Sequence, residues 1–303
     1  MITVTNTGIY KTLIAQLDKL ARHNRHGSFK TRERYRDAMK RFCAFLADSY
    51  RLEKLSNISG KHMEAYVDKL HVRGRSAAYI KTELSAIRLF HDLMPDPRNK
   101  LPTNGALNLE RRRFGEVDRT WTAQEFAQMR LRAIVQGHDD FADMLALIRN
   151  TGLRLHECAR LDTSAAENAI RSGELTVKGK GGKVRSIPTN TAALEILRKR
   201  LSSTRRGCKL FVPDNVKTDA VMNQLEQFII RNRDDECSAG VHLTIHGLRH
   251  TWAAEQYRAL VANGSTTYEA RKQVSLWLGH ERDSVTNIYL ASLTEAEKKG
   301  GAV

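Results

Sequence analysis

Cysteine is scarce in this chain of 303 residues, with four in all: Cys43, Cys158, Cys208 and Cys237. None forms a C-x-x-C pair, which argues against a zinc module or a disulfide framework and fits the reduced thiols of a cytoplasmic protein. No run approaches the ~18 apolar residues of a membrane span, and the opening MITVTNTGIYKTLI lacks a basic segment followed by a small-residue cleavage site. A soluble protein with no membrane partner is therefore expected. The G-x-x-x-x-G-K-[ST] spacing of a phosphate-binding loop is absent, and so are the H-E-x-x-H of a zinc hydrolase and the aromatic strands of an RNA-recognition sheet. Acid is in short supply too: 34 Asp and Glu stand against 50 Lys and Arg, a formal charge of +16. That imbalance calls for a polyanionic partner, nucleic acid first and an anionic membrane surface second.

What is present reads as two domains, since 41% hydrophobic residues over this length suffice for more than one core. In TRERYRDAMKRFCAFLADSY, Tyr35, Met39, Phe42 and Leu46 form an apolar helical stripe, while Arg32, Arg34, Arg36 and Lys40 make the other side basic. A second stripe uses Ile80, Leu84, Ile87 and Phe90, with Lys81 and Arg88 on the polar side. Between them, SGKHMEAYVDKLHVRG predicts a short helix with Ser59 as N-cap. Little strand signal appears here, so an all-α domain is expected over residues 1–105. Pro97, Pro102, Asn104-Gly105 and the run Arg111-Arg112-Arg113 then break the periodicity. Residues 106–118 read as a basic linker suited to crossing a phosphate backbone, with a second domain over 119–303.

That second domain starts on a capping box, Thr122-x-x-Glu125, and continues with an apolar helix that stops at Gly152. Arg154 follows at once, where an arginine fork beside a helix start can hold a phosphate. ELTVKGKGGKVRSIPT predicts a β-hairpin with a Lys- and Gly-rich tip spanning Lys178, Lys180 and Lys183. Downstream, His246 and Arg249 are three apart on one helical face, with Leu248, Trp252, Ala253 and Tyr257 facing inward. His246 and His250 also stand at i, i+4, but without a third ligand nearby zinc is disfavoured and no metal or cofactor is expected. Gly279-His280 closes an amphipathic stretch, and Tyr289 follows nine positions later (289 − 280).

Taken in order, Thr151-Gly152-Leu153-Arg154, Lys180, His246-x-x-Arg249, Gly279-His280 and Tyr289 resemble the motif set of the tyrosine site-specific recombinases of the phage-integrase and Xer type. Glu157 matches the acidic residue which that family keeps three positions past its first arginine. The resemblance implies a mainly α, multidomain protein: an all-α core-binding domain plus an α+β catalytic domain with a small antiparallel sheet, closing as a C-shaped clamp on duplex DNA. It implies Tyr289 as the nucleophile that forms a 3′-phosphotyrosyl bond, and Arg154, Arg249 and a histidine, His246 or His280, as the clamp on the phosphate oxygens. Lys180 is then the general acid for the departing 5′-hydroxyl, His246 the helper of the phenol, and Glu157 the orienting group behind them. Partners implied are double-stranded DNA, a tetramer assembled on two sites, and an accessory DNA-bending or directionality protein. The roughly thirty residues ahead of Thr31 are too few for an arm-binding domain, and the tail after Tyr289 is short for docking on a neighbour. Integration or excision of a mobile element is the expected function, with dimer resolution its close variant. A type IB topoisomerase and a DNA-binding regulator that has lost catalysis are the competing expectations.

Overall fold

The computed structural model describes residues 3–25, 27–110, 117–179, 182–233, 241–280, 283–293 and 297. The chain divides into two compact units, Met1–Arg112 and Arg113–Val303.

The first unit is helical: α1 (Thr7–His23), α2 (Phe29–Tyr50), α3 (Gly60–Val72) and α4 (Ala77–Asp92). Helix α1 lies ahead of the first stripe read from sequence and adds Leu13 and Leu17 to the core. The expected stripes are buried, with Met39, Phe42, Leu46, Ile80, Leu84 and Ile87 all at 0% exposure. Each such side chain taken from water contributes about 2 kcal/mol. Helix starts follow local chemistry. The Ser28 and Ser76 hydroxyls accept from the Thr31 and Tyr79 amides, and the Ser59 amide donates to His62 Nδ1 at 3.0 Å. The segment after α4 is tied back onto it: Arg88 donates to the Pro102 carbonyl and to Asn104, and Lys81 to the Glu110 carbonyl.

In the second unit the capping box forms as written. Thr122 Oγ accepts from the Glu125 amide at 3.2 Å and Glu125 returns the bond to the Thr122 amide at 2.7 Å, starting α5 (Ala123–Val135). Then come α6 (Asp139–Thr151), α7 (Leu155–Cys158), α8 (Thr163–Ser172), the hairpin β1 (Glu174–Lys178) and β2 (Val184–Pro188), α9 (Thr191–Ser203), α10 (Thr218–Asn232), α11 (Ile245–Ala262) and α12 (Thr267–Leu278). A 3₁₀ turn (Asp283–Ile288) precedes Tyr289. The strands are antiparallel, pairing Glu174 with Pro188 through to Lys178 with Val184. This is the small sheet expected of the family. Leu175, Val177 and Ile187 alternate into the core while Thr176, Lys178 and Ser186 stay exposed.

Two glycines set the approach of these elements. Gly152 ends α6 in the left-handed region (φ 63°), and a Cβ there would stand 2.3 Å from the Trp252 ring. Gly279 ends α12 likewise (φ 65°), and a Cβ would meet the Arg185 side chain at 2.9 Å.

Candidate active site

Five of the predicted residues, Arg154, Glu157, His246, Arg249 and His280, converge on Tyr289 or on one another. Arg154 is the N-cap of α7, and Glu157, three residues on, folds back to accept from the Arg154 amide at 2.8 Å and from its Nη1 at 3.0 Å. A residue overlooked in the sequence completes the carboxylate: Arg185 on β2 donates Nη1 and Nη2 to Glu157 at 2.8 and 2.7 Å, and Nε to the Trp277 carbonyl at 2.7 Å. Its only sequence signal is its place two residues past Lys183 on the strand leaving the basic tip. Burial by itself would raise the Glu157 carboxyl, yet the Arg185 fork and the Arg154 amide outweigh it and hold the group at about 2. Glu157 is thus an anion at working pH, and it locks two guanidinium groups.

Arg249 is the largest side chain with no exposure. The expectation that His246 and Arg249 share a face turned away from the core is therefore half right, because α11 is sunk among its neighbours. Arg249 donates Nη1 to the Gly152 carbonyl and Nη2 to the Leu278 carbonyl, the two ends at which the left-handed glycines free an acceptor. Among the described residues no carboxylate bonds it, and its Nε has no partner. Burial, then the positive charges of Arg154 and Arg185, lowers its pKa to about 10 against the raising pull of Tyr289 and Glu157. Three guanidiniums, Arg154, Arg185 and Arg249, face one carboxylate, a surplus of two positive charges (3 − 1).

Tyr289 is 7% exposed and sits on this surplus. Its hydroxyl lies 3.1 Å from His246 Nε2, and the Arg249 guanidinium carbon is 5.5 Å from its ring centre. In the tautomer that carries its proton on Nδ1, His246 accepts from the phenol. The His250 ring, weighed from the sequence only as a zinc ligand, stacks on the tyrosine at 4.4 Å and 23°, and the His280 ring lies 4.8 Å away at 37°. His280 is held at Nδ1 by Thr286 Oγ1, 2.9 Å away and fully buried, while its Nε2 has no partner among the described residues. Burial, reinforced by the neighbouring arginines, lowers His246 to about 4 and His280 to about 3; for His250, burial and then His246 and Arg119 lower it to about 3. All three imidazoles are neutral at neutral pH, and a neutral His246 can take a proton from the phenol.

Lys180 and Arg111, Arg112 and Arg113 lie outside the described residues. Lys178 and Lys183 are exposed at the two ends of the hairpin tip. On α2 the basic side is largely engaged locally: Arg36 pairs with Asp18 at 2.7 Å, Lys40 with Asp37 at 3.2 Å, and Arg32 donates to the Gly27 carbonyl at 3.2 Å. Arg34 is exposed and makes no bond with a described residue, and Lys81 is the group bonded to Glu110. Among the described residues no cluster of His, Cys, Asp and Glu could hold a metal ion, and no helix is long and apolar enough to cross a membrane.

The site can therefore place a phenol hydroxyl beside a neutral imidazole and next to a net excess of guanidinium charge, an arrangement suited to an anion. Comparison with known proteins agrees. Residues 118–296 match the phage integrase family and residues 15–94 its N-terminal SAM-like domain. The tyrosine recombinase XerC of Pseudomonas aeruginosa is 28% identical over 95% of this chain and 97% of its own. In fold, a lambda integrase tetramer bound to a Holliday junction matches with a TM-score of 0.64 and 20% identity, covering 93% of this chain and 78% of that one. The Tn1549 transposon integrase in complex with transposon right end DNA matches at 0.60 and 15%, over 95% and 96% of the two chains. With a catalytic-domain match spanning more than half its length and the helical domain ahead of it, this chain belongs to the phage integrase family of tyrosine recombinases, enzymes that cleave and rejoin DNA.

Proposed function

We propose that this chain is a site-specific recombinase that integrates or excises a mobile element, cutting duplex DNA through a 3′-phosphotyrosyl intermediate at Tyr289. The observation that carries the reading is the Tyr289 hydroxyl 3.1 Å from a neutral His246, beside an Arg249 that bonds only carbonyl oxygens among the described residues. The phenol gives its proton to His246 as its oxygen attacks phosphorus. The bond to the 5′-oxygen breaks, and Lys180 supplies the proton that this oxygen takes up. Arg154, Arg249 and His280 bind the non-bridging oxygens, whose charge grows in the transition state. Glu157 and Arg185 act as positioning residues by fixing Arg154. The covalent bond conserves the phosphodiester's energy, so a 5′-hydroxyl from a second strand reverses the step with no nucleotide cofactor.

Recombination by this route joins two DNA sites, and we assign four protomers to the assembly, the number in the lambda integrase complex. The choice of a mobile element is supported by the fold shared with the Tn1549 and lambda integrases. Cations at Arg34, Lys178 and Lys183, with Arg111, Arg112 and Arg113, are assigned to the DNA backbone. The test is covalent trapping on nicked duplexes, read on denaturing gels, for the wild type and Tyr289→Phe. An adduct with the wild type alone, at equal duplex binding, supports the reading. An adduct that survives in Tyr289→Phe overturns it.

A further inference from the structure

A cavity of about 450 Å³ is lined by Arg154, Arg185 and His280 together with Gln273, Leu276 and Trp277 of α12. Its volume falls within the ~300–1,000 Å³ of small-ligand pockets and exceeds what a phosphate group needs. Gly179 and Lys183, which flank the hairpin tip, also line it, with Val184, Ser186 and Gly279. Tyr289, His246 and His250 do not line it. The cavity thus shares Arg154 and His280 with the reaction centre but lies away from the nucleophile.

Its lining is chemically mixed. Arg154 and Arg185 bring guanidinium groups, while Val184 at 67% and Leu276 at 58% expose apolar side chains. Gln273 offers a side-chain amide, a donor and an acceptor side by side, that bonds no described residue. Cation, apolar ledge and free amide correspond to the three parts of a nucleotide: phosphate, deoxyribose and base edge. In-line displacement puts the leaving oxygen opposite the attacking one. The hairpin that carries Lys180, the proposed donor to the leaving oxygen, contributes Gly179, Lys183 and Val184 to this cavity, and on that ground the leaving-side nucleotide is assigned here.

We infer that this cavity is the subsite for the first nucleotide after the cut, the one that carries the released 5′-hydroxyl, with Leu276 and Val184 packing on its sugar and Gln273 reading its base. The inference rests on the proposed cleavage at Tyr289. It makes Gln273 a specificity-determining residue next to, but not part of, the catalytic set.

The experiment uses the full chain and a pool of nicked duplexes randomised on both sides of the nick. Covalent adducts are recovered under denaturing conditions and sequenced, and the intact complementary strand reports the base that followed each cut. For the wild type one base is expected to be favoured about tenfold at that position, the range of a bidentate amide–base pair. Gln273→Ala, a surface change to the strongest helix former, keeps total adduct yield within about threefold and flattens that position alone. Leu276→Ala lowers the yield several-fold for every base and leaves the preference in place. An unchanged wild-type profile in Gln273→Ala, or a loss of preference at some other position, overturns the subsite while leaving cleavage at Tyr289 standing. Absence of wild-type adducts, or adducts of equal yield from Tyr289→Phe, overturns the cleavage reading and the subsite with it.

Discussion

Both units bury a carboxylate against arginine, and the two clusters are built to opposite ends. In the helical unit Glu83, 2% exposed, accepts Arg41 Nε at 3.2 Å and Nη2 at 2.6 Å, and the Tyr66 hydroxyl at 3.0 Å. One cation meets one anion, and the Glu83 hydrogen bond raises the Arg41 pKa. In the catalytic unit Glu157 accepts from Arg154 and Arg185, while the wholly buried Arg249 bonds only carbonyl oxygens among the described residues and its pKa is lowered. A closed pair holds helices together. An open surplus of charge is costly in the free protein and is compensated when an anion arrives, which under the proposed function is the DNA phosphate.

The largest effect should come from disturbing the open cluster. Arg249→Lys keeps the charge but loses the fork, and adduct formation should fall by about 100- to 1,000-fold in a trapping assay while salt-sensitive duplex binding changes little. Near-normal trapping by this variant would erase the contrast. Next is acid stability. The Glu157 carboxyl sits at about 2 in the folded protein against an ordinary 4.5, so its contribution is present above pH ~4.5 and is lost as pH falls toward ~2. Unfolding free energies of wild type and Glu157→Gln from urea melts should differ by about 2–3 kcal/mol at pH 6 and converge near pH 2.

In the closed cluster, Arg41→Ala strands a buried carboxylate. Since Arg41 is 36% exposed, we expect about 2 kcal/mol of destabilisation in a denaturant melt, below the cost of breaking a fully buried pair, with trapping by the folded fraction unchanged. The smallest signal is in the histidines. His246, His250 and His280, lowered to about 4, 3 and 3, should show no imidazole titration by NMR between pH 8 and 5 in the free protein. Because the unfolded chain binds those protons near pH 6.5, the same groups reduce stability as pH falls from about 6.5 toward 3–4.

How much of this could be read ahead of the structure follows from the range of each signal. The Thr122–Glu125 capping box, the hairpin and the stripes of α2 and α4 are written within a few residues of themselves and are found where they were expected. Arg185 escaped notice because it acts on Glu157, 28 positions away, and on Trp277, 92 away, and a strand arginine beside a lysine-rich tip looks like any solvated charge. The spacing of His250 from His246 was legible, but its stacking on Tyr289 was not, and Thr286 looked like any threonine in a turn.

By itself, the sequence determined the helical stripes, their caps, the hairpin and the ordered set of residue types, because periodicity, capping and turn chemistry act over three or four positions. Only the tertiary structure decided which charges cancel and which remain. Whether Arg249 meets a carboxylate or two carbonyls depends on α6 and α12 ending beside it at Gly152 and Gly279. Whether Tyr289 meets His246, 43 positions upstream, depends on the packing of the 3₁₀ turn against α12, which itself packs on α11. Such pairings are set by the burial of whole faces, and burial is a property of the folded chain rather than of any segment.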